Sequence, residues 1–346
     1  MTLTGHTMEL GIISLSDIYQ GTTTTDTPTA GGRLDDIVHY AELADQLGLD
    51  VFGLGEHHTL DFAVSSPAVA LAAIAARTSR IRLASAVSVL PVLDPVRLYQ
   101  DFATLDLVSH GRAEIVAGRS AFTEPFALFG YDLNQYDALF SEKLNLLLRL
   151  REEETITWQG RFRSPLIDAP IAPRALQQPL PVWVGVGGTP QSAHRAGTLG
   201  LPMVLGLIGG PIERARAAVD IYREAGDKAG HGDRLRVGVS THFYAGADAR
   251  QAREVFPYYH EYLRPKTPGG RGFQIDRWSF EHGTRAGQAL VIGSSEEIVD
   301  KIGEMREVLG IDRFYGQVDW GGLPRELIDE SITRLATEIA PVIRGM

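Results

Sequence analysis

Short apolar runs, each followed by a longer stretch with apolar residues three and four positions apart, recur along most of the chain. The first run, Glu9-Leu-Gly-Ile-Ile-Ser-Leu15, suits a strand buried on both faces, and residues 33–47 then keep helical spacing until Gly48 stops it. The cycle returns with strands over 50–56, 80–87 and 112–117 and helices over 67–77, 95–108 and 137–151. Strands over 182–186, 203–206 and 235–243 follow, with helices opening at Pro190, Pro211 and Ala247. Another helix opens at Ser295, and a strand over 313–318 with a closing helix over 324–343 completes the eighth unit. Eight strands, each succeeded by a helix, predict an α/β protein with a (β/α)8 TIM barrel rather than an open doubly wound sheet, in one domain spanning 1–346. The active site of such a barrel lies at the carboxyl ends of its strands. That singles out residues 14–16, 56–58, 86–88, 118–120, 186–189, 206–208 and 317–320.

Three stretches break the rhythm and read as loop insertions at the C-terminal face. Residues 21–32 are small and polar, as in a flexible loop over the barrel mouth. An excursion over about 152–178 predicts two short strands around Gln159-Gly160, the first over 155–158 and the second at Phe162. A further insertion over about 264–290 begins with a Pro- and Gly-rich run, 264–272, whose composition is that of a lid.

With 346 residues, 44% of them hydrophobic, the chain can bury a large core. Its formal net charge of -10 is spread along helices, which argues against nucleic acid or an anionic membrane as the main partner. The absence of cysteine excludes disulfides, thiolate catalysis and cysteine-ligated metals, so any redox chemistry needs a borrowed cofactor. The opening residues lack the basic and apolar regions of a signal peptide and no apolar run is long enough to cross a bilayer, so a cytoplasmic location is expected.

Candidate chemistry gathers at three strand ends. Pro181-Val-Trp-Val-Gly-Val-Gly-Gly-Thr-Pro-Gln-Ser192 reads as a strand, a glycine turn and a helix start, in which Gly187 and Gly188 let backbone approach a ligand, Thr189 is an N-cap before Pro190, and Ser192 adds a hydroxyl. Gly111-Arg-Ala-Glu-Ile-Val-Ala-Gly-Arg-Ser120 brings Arg119 to another strand exit, where a guanidinium can grip a phosphate. Either stretch alone is also what an ordinary strand-to-helix turn looks like; both on one repeating scaffold favour a phosphate site. In Glu56-His57-His58 the alternation of a strand sends Glu56 and His58 to one side and His57 to the other. Adjacent histidines make a poor chelate. His242 and Asp319 could add ligands, but no spaced metal signature is present, and no metal is expected. A single histidine acting as proton donor or acceptor is the more economical reading, the alternative being a strand-end histidine that is merely hydrogen-bonded. No G-x-S-x-G elbow and no strand-linked G-x-G-x-x-G occurs, which leaves a phosphorylated cofactor whose ring supplies the reactivity.

With these residues in place the sequence resembles the bacterial-luciferase-like flavin monooxygenases, (β/α)8 barrels that use reduced FMN and oxygen or, in a sister branch, the deazaflavin F420. The likeness is strongest over 48–130 and 181–210 and is carried by Gly55-Glu-His-His58, by Arg80-Ile-Arg-Leu-Ala-Ser-Ala-Val-Ser-Val-Leu-Pro-Val-Leu-Asp-Pro-Val-Arg97 and by Leu105-Asp-Leu-Val-Ser-His-Gly-Arg112. The resemblance implies that His57 is catalytic and that Ser85 and Ala86 form the turn supporting the flavin ring, where the family often has a cis peptide. It implies that Arg119, Ser120, Gly188, Thr189 and Ser192 hold the FMN phosphate. It further implies a two-component monooxygenase that receives reduced FMN from a separate NAD(P)H:flavin reductase, inserts one atom of O2 into a small organic substrate, and forms a homodimer. An F420-dependent hydride-transfer enzyme and a non-catalytic flavin-binding subunit are the alternatives. Three departures stand out: Gly118 replaces a cysteine beside the flavin, which would leave a roomier pocket, Leu207 replaces a tryptophan near the ring, and the 264–272 run is shorter than the lid of luciferase. Light emission and a long-chain aldehyde substrate are therefore not implied.

Overall fold

The computed structural model describes residues 7–18, 29–120, 122–187, 189–265 and 272–346. Eight parallel strands close into a ring: β1 (Glu9–Ser14), β2 (Val51–Leu54), β3 (Arg82–Ser85), β4 (Ala113–Gly118), β5 (Val182–Val186), β6 (Met203–Gly206), β7 (Val237–Ala245) and β8 (Arg313–Gln317). The closure is explicit in the register, since Arg313 of β8 pairs with both Gly238 of β7 and Glu9 of β1. Eight helices wrap the ring: α1 (Ala30–Gln46), α2 (Pro67–Ala75), α3 (Pro95–Val108), α4 (Tyr136–Glu152), α5 (Pro190–Thr198), α6 (Glu213–Lys228), α7 (Ser295–Leu309) and α8 (Arg325–Arg334). The barrel predicted from periodicity is the barrel observed.

Alternation along the strands divides the core in two. Outward residues such as Ile12, Phe52, Leu83, Ile115, Val184 and Phe314 pack against the helices in the main core, and the inward set Ile13, Val51, Ala84, Val116, Trp183, Val204 and Tyr315 fills the barrel. The inward register also decides what each end of the barrel presents. At the floor it brings Arg82, Glu114 and Arg313 together; at the carboxyl end it brings Ala86, Gly206, Ser240, His242 and Gln317 to a cavity.

Helix boundaries follow local chemistry. Asp94 caps α3 by accepting from the amides of Val96 and Arg97 at 2.9 and 3.1 Å, with Pro95 in the first turn. Ser294 and Glu297 form a capping box on α7, and Gly310 ends that helix with a left-handed φ of 61°.

Two expectations need correction. The second strand of the excursion runs over Leu166–Pro170 rather than at Phe162. Glu142 of α4 accepts from the amides of Arg161 and Phe162 at 2.8 and 2.9 Å, diverting them from a ladder, and the Phe162 ring packs into a small satellite core. The closing helix is not uniform, because a π-helical turn, Leu335–Ile339, separates α8 from the last helix, Ala340–Gly345. Pro341 cannot donate to the carbonyl four residues back and crowds it; just before it, Ala340 donates instead to Leu335. The loop expected over 21–32 lies outside the described residues up to residue 28, as do 266–271 of the expected lid.

Candidate active site

The carboxyl ends of the strands enclose a cavity of about 570 Å³, within the range of small-molecule sites. Ile13 and Leu15 enter it from β1 and the turn after it, His57 from beyond β2, Ala86 from beyond β3, Gly206 from the end of β6 with Leu207 and Ile208 just beyond it, Ser240, Thr241 and His242 from β7, and Gln317 from β8. Phe62 and Phe122 close one side, Tyr262 and Leu263 from the helix Phe256–Leu263 close another, and Arg264 and Gly272 lie at its edge.

The three residues after β2 separate as alternation requires. Glu56 is buried, accepts from the Val89 amide at 3.0 Å and pairs with His58 at 2.9 Å, so both side chains brace the barrel wall. His57 turns the other way into the cavity. Its ring is stacked on Phe62 at 3.9 Å with an interplanar angle of 14°, and it meets the edge of Phe122 at 5.2 Å. Asp319, which the metal alternative would need as a ligand, is instead ion-paired with buried Arg33.

A polar cluster stands at the neighbouring ends of β4 and β5. One guanidinium nitrogen of Arg119 donates to Thr189 Oγ1 at 3.0 Å and Ser192 Oγ at 2.6 Å, while the other is ion-paired with Asp137 at the start of α4. The Arg119 guanidinium also covers the Tyr136 ring at 4.7 Å. Thr189 is the N-cap residue of α5, but its hydroxyl makes no capping bond; it donates to Ser192 Oγ at 2.8 Å. Ser120 adopts a left-handed φ of 68° and accepts from the Phe122 amide at 2.9 Å. Gly187 is exposed with nothing within 4 Å of where a Cβ would sit, so its backbone faces open space, and Gly188 lies outside the described residues. The Ser85 side chain is fully buried between β3 and β4, where Oγ accepts from the Val116 amide at 3.0 Å. Ala86 reaches the cavity, and the Ala86–Val87 peptide is cis.

Residues 8–313 match the model of the luciferase-like monooxygenases. The chain belongs to the luciferase-like monooxygenase family. The oxygenase component of the flavin-dependent trigonelline monooxygenase of Acinetobacter baylyi is 22% identical over 339 residues, 92% of each chain. Two uncharacterized Sinorhizobium fredii proteins are more alike over shorter spans, 34% over 164 residues and 30% over 185, and the chain spans about half the length of each, 46% and 53%. Among solved structures, the oxygenating constituent of 3,6-diketocamphane monooxygenase from the CAM plasmid of Pseudomonas putida, in complex with FMN, superposes with a TM-score of 0.76 at 18% identity over 97% of this chain and 98% of that one. The coenzyme F420 dependent tetrahydromethanopterin reductase of Methanopyrus kandleri superposes with a TM-score of 0.75 at 18% identity, covering 96% and 99%. These two likenesses show the shared barrel.

Within this luciferase-like chain the donor set at the β4–β5 lip suits a phosphate. It offers two hydroxyls and the Arg119 fork, and a second cation, Arg195 of α5, lies 3.9 Å from Asp137. Arg195 Nη1 is buried without a hydrogen-bond partner among the described residues, and burial first, then the nearby Arg119, lowers its pKa. Arg195 stands one turn beyond Ser192, where the glycine-turn motif ends, and glycine-turn chemistry gave no reason to select it. Tyr262 was likewise missed, because only the closed ring brings it to the mouth, whereas Gln317 lies in the cavity as its place at the end of β8 led one to expect. The roomier pocket expected at Gly118 is not found: Val87 occupies the space, and a Cβ on Gly118 would collide with its side chain.

Proposed function

We propose that this chain is the oxygenase component of a two-component flavin monooxygenase that takes reduced FMN from a separate NAD(P)H:flavin reductase. In the net reaction one atom of O2 enters a small organic substrate, the other leaves as water, and reduced FMN is returned oxidised. The observation that carries the reading is the Arg119, Thr189 and Ser192 cradle beside an apolar, histidine-bearing cavity. The naming of the Acinetobacter relative as an oxygenase component supports the need for a partner reductase.

A reduced flavin, when bound, supplies the electrons that activate oxygen. The chain's own residues do the rest. Arg119, Thr189 and Ser192 hold the phosphate, with Arg195 adding positive charge, while Gly187 leaves room for close backbone approach and Ser120 keeps the preceding turn in place. Ala86 and the Ser85-braced turn support the ring. Phe62, Phe122, Leu207 and Ile208 exclude water from the reacting groups. His57 holds or transfers a proton at its imidazole nitrogens, its plane fixed by stacking on Phe62.

Anaerobic titration with reduced FMN and with reduced F420, followed by air, tests the reading. Preferential binding of reduced FMN and oxygen uptake after air support it. A preference for F420 without oxygen uptake moves the chain to hydride transfer, and binding with no reaction reduces it to a flavin carrier. His57→Ala should still bind FMN but lose product by about 10²-fold or more, the span of general acid–base effects, while hydrogen peroxide rises in its place. Product per reduced FMN equal to that of the unmodified protein removes His57 from the chemistry.

A further inference from the structure

In the closed ring β7 stands four strands from β3 in either direction, so His242 lies across the barrel mouth from the Ala86 turn. The cavity wall around it mixes apolar and polar groups, Ser240 and Asp17 among them. Leu263 and Leu15 contribute hydrocarbon, the Thr241 hydroxyl donates to the Ala289 carbonyl at 2.6 Å, and the Gln317 amide donates to the Tyr262 hydroxyl at 3.0 Å.

His242 is 4% exposed, and its ring meets those of Tyr259 and Tyr262 edge to face at 5.4 and 5.1 Å. Nδ1 lies 2.8 Å from the hydroxyl of Tyr259, a residue only 1% exposed whose hydroxyl has no other partner among the described residues. A buried hydroxyl proton with one acceptor in reach goes to that acceptor, because an unmade bond leaves its desolvation uncompensated. Nδ1 is then an acceptor, and the ring hydrogen sits on Nε2. Nε2 has no hydrogen-bond partner among the described residues, and the ring lines the cavity. Burial pushes the imidazole pKa down to about 4, so near neutral pH the group is a neutral donor of fixed tautomer rather than an acid.

From this juxtaposition we infer that His242, oriented by Tyr259, donates a hydrogen bond from Nε2 into the cavity and selects substrates that join an apolar body to an inward acceptor oxygen. The inference rests on the flavin reading, which gives the β3 side of the mouth to the ring and leaves the β7 side to the substrate. His242 is a specificity residue here, while Tyr259 acts through it as a positioning residue.

The test has two arms on the full-length protein. Nitrogen-15 NMR of the imidazoles should show His242 protonated at Nε2, and Tyr259→Phe should introduce the Nδ1-protonated form. In the FMN-loaded protein, ligand-observed NMR compares acetophenone with ethylbenzene, which differ in the acceptor oxygen. His242→Leu should weaken the preference for acetophenone about tenfold relative to the unmodified protein, and His242→Gln, which retains an amide donor, should restore most of it. An Nδ1-protonated His242 in the unmodified protein, or a preference unchanged in His242→Leu, overturns the inference. Failure to bind FMN instead removes the flavin reading, and the tautomer measurement on the flavin-free protein still decides the donor. If His242→Leu does not fold, His242→Gln and the tautomer carry the decision.

Discussion

Replacing Arg313 by alanine is expected to lower the free energy of unfolding by about 3–5 kcal/mol, the range for removing one member of a buried ion pair. The Arg313 side chain is 1% exposed and lies inside the barrel floor, donating to Glu114 Oε2 at 2.5 Å, to Glu9 at 2.6 Å and to the Tyr315 hydroxyl at 2.9 Å. Its guanidinium also covers the Trp183 ring at 4.2 Å. Alanine would leave the Glu114 carboxylate in the barrel with Arg82 as its remaining partner. Urea midpoints of Arg313→Ala and of the double substitution Arg313→Met with Glu114→Leu separate pairing from packing, since replacing both charges with apolar groups should cost far less. A loss below about 1 kcal/mol for Arg313→Ala would mean that the floor does not depend on this pair. The same cluster fixes a pH window. Burial opposes ionisation of Glu114, but the Arg313 and Arg82 charges outweigh it and hold the carboxyl from an ordinary 4.5 down to about 2. The folded state thus keeps this carboxylate ionised where the unfolded chain would protonate it. Its stabilisation is complete above pH about 4.5 and is lost as the pH falls toward about 2, a dependence that Glu114→Gln should flatten.

Periodicity carried the fold because a parallel barrel is built from its two simplest signals. Runs such as those in β1 and β5 are buried on both faces, and the spacing in α1 or α3 fits one buried helical stripe. The misplacements at Phe162 and at 335–339 come from effects that spacing does not encode. In one, a carboxylate on α4 captures two amides; in the other, a proline acts on the turn before it. The polar cluster proposed to hold a phosphate was partly legible as a cluster, since Arg119, Thr189 and Ser192 each sit at a strand exit or helix start and bond one another. Asp137 and Arg195 join it only through the packing of α4 beside α5, and His242 acquires its partner from a helix 17 residues further on. Ser85 shows the converse, where family resemblance pointed to the cofactor and the hydroxyl itself ties β3 to β4. A side chain's address along a strand was readable; its partner across the barrel was not.

Arg119→Ala should weaken FMN binding by about 1–3 kcal/mol, roughly fivefold to 150-fold, as expected for charge-assisted bonds to a phosphate. The forked donation to Thr189 and Ser192 fixes the guanidinium beside the turn that holds Gly187, so the loss should fall on the phosphate and spare the ring. Riboflavin, which lacks the phosphate, is the internal control. Its affinity should be nearly unchanged by the substitution, so the preference of the unmodified protein for FMN over riboflavin collapses in Arg119→Ala. Arg119→Lys should fall between them, keeping a point charge but not the fork. Asp137 opposes the anion, because it is 69% exposed and occupies Arg119 by an ion pair that a phosphate must replace. Raising the salt concentration should therefore weaken FMN binding less than a bare two-cation site would predict, the competing pair being screened along with the ligand. Equal FMN affinities for the two proteins, or an equal loss for FMN and riboflavin, would place the phosphate elsewhere on the barrel and leave Arg119 as a brace between α4 and α5.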